Sequence, residues 1–151
     1  MTLTGEAAIR SALERDADSI GAYRLVLAHG VAYTPVERQA DVPAGERHRA
    51  FVNAHRLAMA RGLAYCEGYT LPPGFDDIPN RHAWCVSETG DVVDPSPGWA
   101  DPGGRLRDCY LGVAIPVDFA APYVDGRARG VLYELTNRID ELATALGHPP
   151  V

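Results

Sequence analysis

Apolar positions along the chain first recur at helical spacing. Ala7, Ile9, Leu13, Ile20 and Leu25 follow a three-to-four-residue rhythm, interrupted at Asp16 and Asp18, which predicts helix across the first third. Pro35, Pro43 and Gly45 break that rhythm. It resumes with Phe51, Ala54, Leu57 and Ala58 on one face of a helix that opens near Ala50, with Gly62 placed to cap its end. Beyond Gly62 the pattern changes. Residues 63–71 read as a strand ended by Leu71-Pro72-Pro73-Gly74, residues 82–86 and 92–94 as two more, and residues 110–116 as a fourth. A Pro- and Gly-rich loop spans residues 95–104. Residues 131–146 predict a C-terminal helix with Gly147 past its end, although residues 130–133 also fit the start of a strand. Helices followed by a run of antiparallel strands predict an α+β fold in a single domain spanning residues 1–151, its N-terminal helices packed on a small sheet.

Length and composition narrow the possibilities. A chain of 151 residues with 46% hydrophobic content can bury one core. The net charge is −6, and the fourteen basic residues, every one an arginine, are scattered along the chain. Nucleic-acid binding needs clustered cations, so no nucleic-acid partner is expected. The absence of lysine excludes a Schiff-base or P-loop lysine. No apolar run approaches the length of a membrane span, and the first residues lack the layout of a signal peptide. Cys66, Cys85 and Cys109 make an odd count without CxxC spacing, which predicts free thiols and a cytoplasmic location.

The segment richest in chemistry runs Arg81-His82-Ala83-Trp84-Cys85-Val86, then a turn, then Val92-Val93-Asp94-Pro95. Side chains alternate across a strand, so the loop length decides whether His82 and Asp94 can meet. A two-residue turn at Thr89-Gly90 separates them. A three-residue loop, Glu88-Thr89-Gly90 with Gly90 left-handed, puts His82, Trp84, Val86, Val92 and Asp94 on one face, and Gly at the third position favours it. A histidine held by an aspartate is the base-and-orienter half of a nucleophilic triad. Its missing partner belongs at a helix N-terminus, where free amides stabilise a thiolate and an oxyanion.

Ala50-Phe51-Val52-Asn53-Ala54, Glu67-Gly68-Tyr69, His82-Ala83-Trp84, Val93-Asp94-Pro95 and Tyr110-Leu111-Gly112-Val113 together resemble small bacterial and phage proteins of the transglutaminase-like, papain-like superfamily. The resemblance covers about residues 46–116 and implies a Cys–His–Asp triad acting on a peptide or a small amide or thioester, by hydrolysis or acyl transfer, without a cofactor. It implies catalytic roles for His82 and Asp94 and assigns the nucleophile position to residue 50. That residue is alanine, whose methyl group cannot attack a carbonyl. The chain is therefore expected to be inactive, either as a Cys-to-Ala form of an enzyme or as a natural pseudoenzyme acting as a peptide- or protein-binding module.

Several residues carry two readings. Trp84 is core or a wall of the site, and the resemblance adds a backbone amide for an oxyanion. Asn53 can bond substrate or neighbouring backbone. Glu67 and Tyr69, on one strand face, either shape specificity or form a buried network. Gln39 is a weaker oxyanion candidate. Cys66, Cys85 and Cys109 read as small buried hydrophobes. A zinc site from Cys66, His82, Cys85 and Asp94 is disfavoured because His82 and Cys85 point to opposite faces of one strand, and no metal is expected.

Overall fold

The structure, a computed structural model, describes residues 5–33, 41–42, 44–46, 48–71, 78–96, 109–126 and 128–151. The first amphipathic stretch forms α1 (Gly5–Glu14) and α2 (Gly21–His29), with the Asp16–Asp18 interruption between them. α1 buries Ala8, Ile9, Ala12 and Leu13, and α2 buries Ala22, Leu25 and Val26. α3 (Ala50–Arg61) begins at the expected residue and buries Ala54, Leu57 and Ala58. Gly62 closes it in the left-handed conformation, φ +66°, its N–H donating to the Ala58 carbonyl.

Five antiparallel strands form one sheet in the order β1-β5-β2-β3-β4: β1 (Val31–Tyr33), β2 (Ala64–Thr70), β3 (Asn80–Val86), β4 (Val92–Val93) and β5 (Tyr110–Ile115). The fold is α+β. β1 was not expected, because three residues directly after a helix are too short to show a period of two; it gains strand identity from pairing Ala32 with Leu111.

The predicted continuous C-terminal helix requires correction. α4 (Val117–Ala120) runs into a 3₁₀ turn at Ala121–Tyr123, and then α5 (Val131–Glu134), a 3₁₀ turn at Thr136–Arg138 and α6 (Ile139–Ala145) replace one long helix. The break is tertiary. Thr136 turns to accept the Ala22 N–H on its Oγ1 (2.9 Å), supplying a bond that α2's first turn lacks internally. Gly21 lets the Thr136 carbonyl approach so closely that a Cβ there would collide with it.

Alternation divides the sheet into two faces. Tyr65, Tyr69, Ala83, Cys85, Val93, Leu111, Val113 and Ile115 join the larger core beneath the helices. Cys66, Trp84, Val86, Val92 and Tyr110 form a smaller cluster on the other face, with Tyr33 packed against it. Each fully buried aliphatic or aromatic side chain contributes about 1.5–3 kcal/mol. The wide Trp84 ring fits because Gly112 lies under it: a Cβ there would sit 2.6 Å from the indole and collide with the Glu67 carbonyl.

Candidate active site

The hairpin between β3 and β4 sets the geometry. Val86 pairs with Val92 and Cys85 with Val93. The Ser87 N–H donates to the Asp91 carbonyl at 2.9 Å, closing the three-residue loop Glu88-Thr89-Gly90 with Gly90 at φ +85°. This register puts His82 and Asp94 on one face as diagonal neighbours. Their side chains meet: His82 Nε2 lies 2.7 Å from Asp94 Oδ2, with His82 3% and Asp94 1% exposed.

Asp94 is held by more than the histidine. The Tyr110 hydroxyl donates to Oδ2 at 2.8 Å, and the Ser96 N–H donates to Oδ1 at 2.9 Å. Burial alone would raise the Asp94 carboxyl. The adjacent His82 imidazole, its hydrogen bond, and the Ser96 and Tyr110 donors outweigh burial and hold the group down at about 2. An ionised carboxylate only accepts, so Nε2 of His82 carries the proton. In the neutral ring the lone pair then lies on Nδ1, which has no hydrogen-bond partner among the described residues. Trp84 stacks beside the imidazole (centroids 6.3 Å apart, planes at 17°), and Tyr110 lies against it at 5.9 Å. The indole Nε1 of Trp84 and the Ser96 hydroxyl are buried without hydrogen-bond partners among the described residues, which makes the surroundings of the dyad more polar than an ordinary core.

Tyr110 and Ser96 are the residues the sequence reading missed as anchors of the dyad. Tyr110 was noted only as part of a strand motif, and no local spacing connects it to Asp94. Their contact is set by the sheet, in which β5 pairs with β2 and β2 with β3.

The position matched to the nucleophile, Ala50, is the first residue of α3 and is partly buried. The chain enters α3 through His48 in the left-handed region (φ +59°), and Arg49 makes no side-chain cap, so no side chain from the N-cap occupies the first-turn amides. The body of α3 lies on the face opposite His82: the Cys85 thiol donates to the Ala54 carbonyl at 3.1 Å, and Cys85 lies three residues beyond His82. A backbone route nonetheless ties the start of α3 to the Asp94 end of the hairpin. The Gly45 N–H donates to the Pro95 carbonyl at 2.7 Å, and Gly45 packs directly on the Asn53 amide.

The other predicted residues separate. Trp84 sits beside His82. Asn53 uses both ends of its amide on the Glu46 backbone, donating to its carbonyl (2.7 Å) and accepting its N–H (3.1 Å). Glu67 and Tyr69 point to the face away from His82. Glu67 is fully buried and accepts from the Tyr65 hydroxyl (2.6 Å), Val131 N–H (2.9 Å) and Leu132 N–H (3.0 Å), so it fastens the start of α5 to β2. Burial raises its carboxyl despite these donors. Tyr69 is buried edge-on against Tyr23. Gln39 lies outside the described residues. All three cysteines are buried thiols outside any disulfide, and burial pushes the Cys66 thiol up to about 12 and Cys85 upward too, which makes both poor nucleophiles. Among the described residues no group of three His, Cys, Asp or Glu side chains could hold a metal ion, and no helix is long and apolar enough to cross a membrane. The chain matches no protein-family model, no curated protein and no solved structure.

Proposed function

We propose that this chain carries a transglutaminase-like thiol acyl-transfer site whose nucleophile is absent, with His82 as the proton acceptor and Asp94 as the group that orients it. The observation carrying this reading is the 2.7 Å His82–Asp94 pair, made through Nε2 so that Nδ1 remains available as a base. The start of α3 at residue 50 has no side-chain cap from Arg49, which suits a thiolate and a developing oxyanion. Because α3 packs on the sheet face opposite His82, residue 50 has to meet His82 around the Asp94 end of the hairpin, where Gly45 bonds Pro95. In a form with cysteine at residue 50, the thiolate would attack a carbonyl of a peptide, amide or thioester. His82 would take the thiol proton and return it to the leaving group, and the acyl-enzyme would pass to water or an amine. With Ala50 no covalent intermediate forms.

The test is Ala50→Cys with iodoacetamide near neutral pH, mapping each alkylated cysteine by mass spectrometry. The proposal expects residue 50 to react faster than Cys66, Cys85 and Cys109, with that advantage lost on His82→Gln. Reactivity no greater than that of an exposed free thiol, or unaffected by His82→Gln, overturns it.

A second reading is a binding module that acts without chemistry. It is favoured by an open groove of about 410 Å³ beside α3, lined by Gly45, Asn53, Arg56, Leu57 and Pro95 among others. That volume lies within the range of small-molecule and short-peptide sites.

A further inference from the structure

We propose that Arg81 and Arg129, braced on Tyr133, form a docking site for an anionic oxygen group, a carboxylate or a phosphate, of the molecule this domain binds. The Arg81 guanidinium lies 4.3 Å from the centre of the Tyr133 ring and that of Arg129 lies 5.1 Å from it. Arg129 Nη1 also donates to the Tyr133 hydroxyl at 2.9 Å. Neither guanidinium has a carboxylate partner among the described residues. Arg10, Arg49, Arg61 and Arg138, by contrast, are each paired with an acidic side chain. Two guanidiniums with no ion pair among the described residues thus meet at one tyrosine, although the Glu67 carboxyl lines the same hollow and Glu134 accepts from the Arg129 backbone N–H.

Their placement is built into the fold. Arg81 sits in β3 immediately before His82 and faces the helices, opposite Tyr69. Arg129 precedes Gly130, whose φ of +93° and missing side chain let the Phe51 ring lie against it; a Cβ there would sit 2.6 Å from that ring. Phe51 belongs to the first turn of α3, next to Ala50, so the arginine pair is fixed beside the start of α3, on the sheet face opposite His82. The hollow lined by Phe51, Glu67, Tyr69, Arg81, Arg129 and Tyr133 has a volume of only about 10 Å³, room for no more than one water, so an anion would rest on its rim, on the arginine side and away from Glu67. Stacking on a ring immobilises a guanidinium; Arg129 spends one Nη1 N–H on the Tyr133 hydroxyl, and its remaining N–H groups and those of Arg81 are left for recognition of carboxylate or phosphate.

That this anion belongs to the substrate rests on the function proposed above; anion binding itself does not. The test is an NMR titration of the unaltered chain, following the arginine Nε–H signals. Inorganic phosphate and N-acetylglutamate are added separately at constant ionic strength. Saturable shifts at Arg81 and Arg129 are expected with at least one probe, and which probe binds more tightly tells phosphate from carboxylate. The pair Arg81→Gln with Arg129→Gln should weaken binding at least tenfold, and Arg138→Gln should leave it unchanged. Arg81→Lys with Arg129→Lys, which keeps the charge, should also weaken it because the planar fork is gone. Uniform shifts at all arginines, no saturation, or full binding in the double Gln variant overturns the proposal. Because the chain titrated carries Ala50, the result is independent of whether a cysteine at residue 50 becomes reactive.

Discussion

Replacing Asp94 with asparagine tests the electrostatics at the centre of the site. The folded protein lowers this carboxyl from its ordinary 3.8 to about 2. Because the folded value is depressed, the stabilisation is fully present above the unfolded value and is lost as pH falls from 3.8 through 2. At about 1.4 kcal/mol for each pH unit of displacement, the contribution at neutral pH is on the order of 2–3 kcal/mol. Asp94→Asn keeps an oxygen for the Ser96 N–H but turns an amide NH₂ toward His82 Nε2 and the Tyr110 hydroxyl, both of which now donate to Oδ2. The variant should therefore be about 2–3 kcal/mol less stable at neutral pH, a fall in Tm of about 5–10 °C for a chain of this size. Equilibrium urea unfolding of both proteins, from about pH 7 to about pH 2.5, supplies the assay. Carboxylates elsewhere titrate alike in the two proteins, so the difference between them isolates residue 94. The gap should narrow steadily below about pH 4. A gap below about 0.5 kcal/mol at neutral pH, or one that stays constant across the range, refutes an Asp94 held ionised by its three donors.

Three other outcomes are expected. Gly112→Ala drives a methyl group into the Glu67 carbonyl and the Trp84 ring, so urea unfolding should show a loss of about 1–3 kcal/mol or more, and wild-type stability would contradict the Trp84 packing. Gly90→Ala meets no neighbouring atom but imposes a side chain at φ +85°, so it should cost only about 1 kcal/mol by thermal unfolding; a much larger loss would point to a contact the loop does not show. Cys66 and Cys85, buried with raised thiols, should resist Ellman's reagent near pH 8 in the native protein and react fully in urea. Modification of either in the native state at the rate of free cysteine would contradict their burial.

Local features of the chain determined more of this protein than its lack of matching relatives suggests. The rhythm of Phe51, Ala54, Leu57 and Ala58, with Gly62 behind it, marked α3 from its first residue to its cap, because amphipathic spacing and a left-handed glycine act within a few residues of each other. Gly90 in the third loop position was enough to choose the hairpin register, and through strict alternation that register placed His82 beside Asp94. Tertiary structure decided what depends on distant partners. β1 exists because β5 has an open edge, and the C-terminal helix breaks because Thr136 bonds to a helix more than a hundred residues earlier. Glu67 and Tyr69 alternate onto one face as their spacing requires, but only the β2–β3 register, which pairs Gly68 with His82, made that the face turned away from His82. Tyr110 reaches Asp94 across β2 and β3, whose placement between β5 and β4 no local pattern encodes. Alternation relates side chains within one strand or hairpin; which face the helices cover is settled by burying the larger apolar set, a property of the whole chain.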